Sequence, residues 1–571
     1  MKIIIFILLS FKFLFSQQGN YVRKSVSSLE SVWYKPGSLS GLKFDSKSFD
    51  VFMDYYIETP RFDYNILPSG LLQDFRREAN ALDEISSEAL SKVLENTVTD
   101  KIIEILNNPE IMKQRGSALK SESALQSFAA KKAKSVGLTT KELASLMNSA
   151  YIYLPYISSA TKETDGPKDL TVTIKGGIIW WQMQVSEDGS ISIEQVLTAT
   201  TEALSSIDPT SKVSGKSAYG EFIFGEKVWK TTPEQYCQND AMLAFCKNLG
   251  VKTKEIEDFK LSAQIAEAVG KKYGFPLGFR EGVHLDDGFH IVEYEEDSKG
   301  NEVSVNKGFV RVSETGDNNK DPNNLTYGKQ LLGNSVSEGS VLMEHPRLGL
   351  DARVKIGFIS GLAIKKEYVP AGLFEAQNLF EEDVTSGIGA DIYFSYNLAP
   401  IIGVSQTFLD VNTTFAFPTG KFNEDLTEVP TIVPFILSAY LGATKKVWFG
   451  SSNLSIFAGG GLESLNLAGK ILDSDFVYSV RSIGFKFAGD FEKLVTPDIS
   501  INLGLQYKYA LPPMQLAINY DGNETTYEGT DVADIYPDLS LSAFGLNLGV
   551  NYALGELPFN LFGFLDPLKK H

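Results

Sequence analysis

From Arg347 to Lys365 apolar and polar residues alternate with period two. Leu348, Leu350, Ala352, Val354, Ile356, Phe358, Leu362 and Ile364 fall on one face, and Arg347, Asp351, Arg353, Lys355 and Lys365 on the other, with Gly349, Gly357 and Gly361 between. The run is longer than a soluble sandwich strand needs, and it fits a membrane strand of about 9 to 11 residues plus extensions. The same signature recurs seven times. Ile388–Leu398 and Thr407–Phe417 are the second and third strands, Phe435–Leu441 the fourth, and Leu454–Leu462, beside Gly459-Gly460-Gly461, the fifth. Ile483–Phe487 is the sixth, with a phase slip near Ser482 of the kind a β-bulge produces; Ile499–Tyr509 and Phe544–Leu554 complete eight.

Connection lengths alternate between short and long, as they do in outer-membrane barrels. Asn397–Pro400 and Glu492–Asp498 are tight, whereas Phe417–Val433 and Leu511–Asp538 are long. This places both barrel ends, and everything before Arg347, in the periplasm. The pattern resembles the OmpA-type eight-stranded outer-membrane barrels over residues 346–555, by pattern and topology only. The resemblance implies a transmembrane β-barrel in contact with outer-membrane lipid. One departure is that the chain runs past the last strand to His571, so residues 556–571 form a periplasmic tail.

An eight-stranded barrel is just wide enough inside for side chains to fill it. The predicted inward set is Asp351, Arg353, Lys355, Asp391, Asp410, Glu463, Arg481, Lys486 and Lys508. It mixes both signs, which favours a paired charge network over an ion pathway. The last external loop gathers Asp521, Glu524, Glu528, Asp531 and Asp534 without the spacing of a calcium loop, and reads as a solvated surface.

Before the barrel the periodicity changes. Phe75, Leu82, Ile85, Val93, Leu94, Val98, Ile102 and Ile103 recur near 3.6 residues until Asn108-Pro109, and Thr139-x-x-Glu142 opens a later helix, so residues 20–160 are expected to be mainly helical. Residues 165–260 read as an α+β domain. It has a strand around Trp180-Trp181, a helix capped by Ser192-x-x-Gln195, and another begun by Thr232-Pro233. Residues 261–345 read as a small β-rich domain with glycine turns. Met1-Lys2 followed by the apolar run to Phe15 and then Ser16 is expected to be a secretory signal, residues 1–16.

Chemistry-bearing residues are few. Cys237 and Cys246 are a candidate disulfide in an oxidising compartment, but nine residues along a helix is about 13 Å of rise, so a bridge requires that helix to break. His284, Asp286, Asp287 and His290 are of metal-ligating type, yet Asp287-Gly288 is a turn signal and an exposed turn is the stronger reading. No nucleophile motif, phosphate loop or metalloprotease motif occurs; no cofactor and no enzyme activity is expected. A net charge of −18 argues against nucleic acid as a partner. The leading expectation is a barrel that anchors a large periplasmic module, which binds an envelope or periplasmic protein. The alternative is a pore or transport component gated by that module.

Overall fold

A computed structural model describes residues 24–570 other than 30–31, 45, 58–61, 67–71, 110, 112–121, 137, 166–168, 187–189, 210–220, 225–226, 231, 297–301, 369–377, 424–432, 472–473, 521 and 567. The expected leader, residues 1–16, lies outside the described residues.

The N-terminal unit is built on one sheet. Its strands are β1 (Lys24–Ser28), β2 (Trp33–Tyr34), β3 (Phe62–Ile66), β4 (Tyr151–Asp165), β5 (Asp169–Val185) and β6 (Ile191–Ile207), in the order β3-β1-β4-β5-β6 with β2 on β4. The residues of β5 explain its position. Gly176 to Trp181 are all buried, an uninterrupted run that only a strand covered on both faces accommodates. Trp180 packs with the helices Ser46–Tyr56 and Pro233–Thr253 on one side. Trp181 packs with Leu90, Leu94, Val98, Ile102 and Leu143 on the other, from helices that include Ser87–Leu94, Asp100–Leu106 and Thr140–Asn148.

Two expectations change here. The boundary drawn near residue 160 falls at the β4–β5 hairpin, so the helical segment and the α+β domain share one sheet and two cores. The segment after Ser192 is a strand, not a helix. Val185↔Ile191 through Leu170↔Ile207 pair antiparallel, and that ladder, together with the β-branched residues Ile191, Ile193, Val196, Thr198, Thr200 and Thr201, outweighs a local capping signal. The Thr232 cap does form. Its hydroxyl accepts from the Gln235 amide, the Gln235 side chain accepts from the Thr232 amide, and Pro233 occupies the first turn of a 21-residue helix.

A hairpin of β7 (Glu221–Phe224) and β8 (Lys227–Lys230) precedes that helix. A seven-stranded sheet follows it, ordered β10-β11-β14-β13-β12-β15-β9. Its strands are β9 (Ser262–Gln264), β10 (Glu267–Val269), β11 (Lys272–Phe275), β12 (Gly288–Glu296), β13 (Glu302–Glu314), β14 (Thr326–Gly333) and β15 (Val341–His345). Its own core contains Leu261, Phe275, Phe289, Ile291, Val310 and Leu342.

The C-terminal sheet holds β16 (Leu350–Ile364), β17 (Val384–Asn397), β18 (Thr407–Thr419), β19 (Val433–Phe449), β20 (Ser452–Ile471), β21 (Ser474–Leu494), β22 (Ile499–Ala510), β23 (Gln515–Tyr520), β24 (Asn523–Glu528) and β25 (Ala543–Leu554). Pairing runs β20-β19-β18-β17-β16-β25-β22-β21, and β20 also pairs with β21 from Ser452↔Lys493 to Ile471↔Ser474, so each of these eight strands has two neighbours. The hairpin β23–β24 extends one side of β21 beyond Arg481. The bulge expected near Ser482 is absent, since β20 and β21 stay in register throughout; what changes there is the partner on the other side of β21, from β22 to β23.

The tail is not free. The Leu204 amide donates to Pro558 O (2.6 Å), Asn248 donates to Leu557 O (2.8 Å), and β26 (Lys569–Lys570) pairs with β7. Leu568 is buried in the N-terminal core, and Lys569 is ion-paired with Asp240.

Candidate functional site

The eight paired strands present opposite chemistry on their two faces. Along β25, Ala543, Gly545, Asn547, Gly549 and Asn551 are buried while Phe544, Leu546, Leu548, Val550 and Tyr552 are about half or more exposed. Ile356, Ile388, Leu441, Ile456, Phe487 and Leu503 continue that exposed apolar face around the other strands. The polar faces are enclosed. Lys355 reaches Asp490 at 2.6 Å, Arg353 reaches the same carboxylate at 3.3 Å, Lys486 meets Asp391 at 2.6 Å, and Lys508 lies 3.5 Å from Glu463. Thr414 donates to Asp391, Ser395 to Asp410 and Tyr440 to Glu463. Charges taken out of water persist only with partners of this kind, and four lysine and arginine side chains at or below 1% exposure all have one.

Rings occupy the space between the pairs. Tyr393, Tyr440 and Phe457 cluster there, with the Lys355 and Lys486 ammonium groups 4.9 and 5.1 Å from the Tyr393 ring centre. At the end away from Leu350 the enclosed side chains turn apolar. Ile359, Leu362, Ala416, Ile436, Leu465 and Val480 pack there against Leu379, Phe380, Val532, Tyr536, Leu539 and Leu541 from the connecting loops. Charge pairs with aromatic rings between them, and an apolar cluster at the far end, therefore lie on the enclosed side of the strands.

The near end, where β16 begins and β25 finishes, opens on a cavity of about 670 Å³ shared by all three parts of the chain. Its walls come from Tyr55, Tyr56 and Lys254 of the N-terminal unit, and from His284, Asp287, Arg311 and Glu344 of the seven-stranded unit. Asp351, Phe408, Lys446, Trp448, Glu492 and Asn551 complete them from the eight strands. Lys446 bridges Glu492 (3.1 Å) and Asp351 (3.5 Å) at this mouth.

Docking of the seven-stranded unit is polar and specific. Asp286, held at φ 74°, accepts from Ser405 Oγ (2.5 Å) and the Gln406 amide (2.6 Å) in the β17–β18 connection. Arg311 donates to Gln406 Oε1 (2.9 Å), which Trp448 Nε1 also reaches (2.6 Å), and the guanidinium stacks on the Trp448 ring. His290 and His345 share a ring-nitrogen hydrogen bond (3.2 Å), His345 Nε2 contacts Asp498 (2.7 Å), and Arg347 lies 3.2 Å from the same carboxylate. Burial, and next the neighbouring His345, push His290 down to about 4. Burial pushes the Arg347 guanidinium down to about 10. Burial alone raises the Asp498 carboxyl, but the His345 hydrogen bond and Arg347 outweigh it and hold the group below its usual range. Asp287, whose carboxylate caps the His284 amide (2.7 Å), is pushed up to about 6 by burial.

The predicted residues are placed as follows. Asp391, Asp410, Glu463, Arg353, Lys355, Lys486 and Lys508 are enclosed, and Asp351 stands at the mouth. Arg481 is not interior: it shares a face with Ile483 and Phe485, is 41% exposed, and lies 3.5 Å from Glu524. Asp490, Glu492 and Lys446 are interior members that the alternation misses when each strand is ended at its last clear apolar residue. Cys237 and Cys246 are free, buried thiols on the unbroken helix Pro233–Thr253; the candidate bridge is not formed, and Cys237 donates instead to Ser205 O (2.9 Å). His284 is exposed at its turn, Asp286 is a docking residue, and among the described residues no group of His, Cys, Asp or Glu is arranged to hold a metal ion. Of the loop acids, Glu524 faces Arg481 and Glu528 accepts from Gln515.

No family model and no curated protein matches the chain. Solved structures similar to it include Neisserial surface protein A, with 13% identity over 37% of this chain and all of that one (TM-score 0.22). A major outer membrane protein from Thermus thermophilus shares 12% over 36% and 99% (TM-score 0.23). The outer membrane protease OmpT from Escherichia coli shares 9% over 52% and 97% (TM-score 0.20).

Proposed function

We propose that the eight paired strands close into a barrel spanning an outer membrane, and that this barrel is a non-conducting anchor for a periplasmic module that binds an envelope partner. The observation that carries the reading is the reversal of faces: large apolar residues stand exposed around all eight strands while Arg353, Lys355, Asp391, Asp410, Glu463, Lys486, Asp490 and Lys508 are enclosed. Water favours the opposite arrangement, and a hydrocarbon surround favours this one. The ion pairs, the Tyr393–Phe457 cluster and the apolar stopper argue against the pore alternative, because each layer occupies the path an ion would take. The chain enters and leaves the eight strands at one end, and the short turns at that end support a periplasmic location for the N-terminal unit, the seven-stranded unit and the tail.

The module is larger than an anchor needs for itself, and it is the part left to meet a partner. Photo-crosslinkers at the exposed Tyr34 and Tyr64 in intact cells are expected to give discrete protein adducts. An absence of adducts, together with unchanged phenotypes after deletion of residues 20–340, would refute the anchoring role.

A further inference from the structure

We propose that the C-terminal tail seats the N-terminal unit against the outer wall of the barrel, with Phe564 and the β17–β18 turn residues Ile401, Ile402 and Val404 lying in the lipid of the near leaflet. The proposal rests on the reading of the eight strands as a membrane barrel.

Residue parity decides which wall the tail touches. On β17 the Tyr393 and Ser395 side chains are enclosed, at 0% exposure, so Tyr396 belongs to the outward face with Ile392 and Phe394. Phe562 of the tail stacks on Tyr396, with ring centres 5.4 Å apart and planes at 28°. Lys247, on the helix Pro233–Thr253, places its ammonium 5.8 Å from the same ring. The tail and that helix therefore lie against the flank of the barrel, level with its rim.

The tail is held firmly enough to fix this position. Between Leu557 and Lys569 it gives two backbone acceptors to the N-terminal unit, buries Leu568 in that unit's core, and joins Asp566 to Tyr56. What remains uncovered is apolar. Phe564 is 51% exposed with its ring 6.3 Å from that of Phe562, and Ile401, Ile402 and Val404, which follow Tyr396 in the chain, are all close to half exposed.

Continuity with the wall identifies the occupant. At the near end of other sectors the outward residues Val447, Phe449 and Tyr552 are about half exposed, as the edge of a lipid-facing belt should be. In the β16–β17 sector Leu350, which pairs with Tyr396, is only 7% exposed. There the covered wall is replaced by Phe564 and the turn, which carry the belt onto residues outside the barrel. Aromatic side chains at this level favour the interface between headgroups and chains.

The test is depth-dependent quenching in the full chain, reconstituted in phosphatidylcholine vesicles whose acyl chains are brominated either near the glycerol or near the methyl end. Single bimane labels go at Phe564→Cys, at Leu441→Cys in the middle of the outward face, and at Tyr34→Cys in the N-terminal unit. The buried Cys237 and Cys246 are checked by labelling the unsubstituted chain. The expected result is quenching at 564 chiefly by shallow bromines, at 441 chiefly by deep ones, and at 34 by neither. Quenching at 441 with none at 564 would overturn this inference and leave the membrane reading intact. An unquenched 441 label would overturn both.

Discussion

Strands β5 and β25 are both long, both antiparallel to their neighbours and both rich in large apolar residues, yet they meet opposite surroundings. Along β5, Gly176 to Trp181 are buried without a break, because helices cover both faces of the sheet. Along β25 strict alternation leaves the apolar residues outside and the small and polar ones inside. The first is the ordering of a protein core in water. The second reverses it, with the apolar residues exposed and the small and polar ones enclosed, which is the observation from which we propose a hydrocarbon surround for this part of the chain.

The largest effect is expected from removing one member of an enclosed ion pair. Lys486→Ala leaves the Asp391 carboxylate without its cation and is expected to destabilise the barrel by about 3–5 kcal/mol, read as a lowered urea midpoint in vesicles. The double variant Lys486→Met, Asp391→Leu is expected to recover most of that loss, since the cost lies in the orphaned charge. Trp180→Ala should cost a similar ~3–5 kcal/mol, but in the N-terminal unit alone. Trp180 stacks on Tyr153 with ring centres 4.5 Å apart and donates to Thr253 Oγ1 (3.2 Å). Proteolysis of residues 24–260 at temperatures where the barrel resists unfolding distinguishes the two effects.

Next in size is the outward face. Leu441→Arg, at the middle of β19, is expected to weaken the membrane-inserted state by roughly 2–4 kcal/mol. The same change at an exposed position of β6, Thr200→Arg, should stay within about 0.5 kcal/mol. Equal effects at the two sites would remove the distinction between lipid and water as surroundings.

Docking of the seven-stranded unit adds a pH dependence. His290 is held at about 4 in the folded chain, below its ordinary 6.5, so the unfolded chain binds the extra proton between those values. Its contribution is complete above about pH 6.5 and is lost as pH falls toward 4. Asp287 has the opposite sign, its folded value near 6 lying above the ordinary 3.8, so stability falls as pH rises through that interval, by a small amount because its side chain is 38% exposed and screened by water. His290→Asn is expected to flatten the first trend and Asp287→Asn the second, followed by the melting temperature between pH 4 and 7. The smallest effect concerns the thiols. With Cys237 and Cys246 free and buried, a reducing agent should leave the melting temperature unchanged.

Much of the eight-strand pattern was legible because period two is a local property: Leu348 to Phe358 announce their face without reference to any other strand. What crosses between strands was not. Lys486 and Asp391 come from β21 and β17, which are not neighbours, and the stagger that brings them to 2.6 Å has no signature in either segment. Arg481 belongs inside only if β21 slips at Ser482; without the slip its parity is that of Phe485, outside. Glu492 falls in the expected Glu492–Asp498 turn and Lys446 lies past the expected end of the fourth strand at Leu441, because both strands continue beyond their last obvious apolar residue. In the N-terminal unit the Thr232 cap was readable, whereas β6 was not, since its capping-like Ser192 and Gln195 act locally and its ladder to β5 does not. The tail's attachment joins residues more than 300 positions apart, and nothing near either end announces it.

The most direct test of the anchor reading is planar-bilayer recording on the full chain at neutral pH. The bilayer is expected to stay silent even when insertion is verified, and silent again with Lys355→Glu once that variant is inserted. Stepwise conductance in the unsubstituted protein, altered in ion preference by Lys355→Glu, would contradict it.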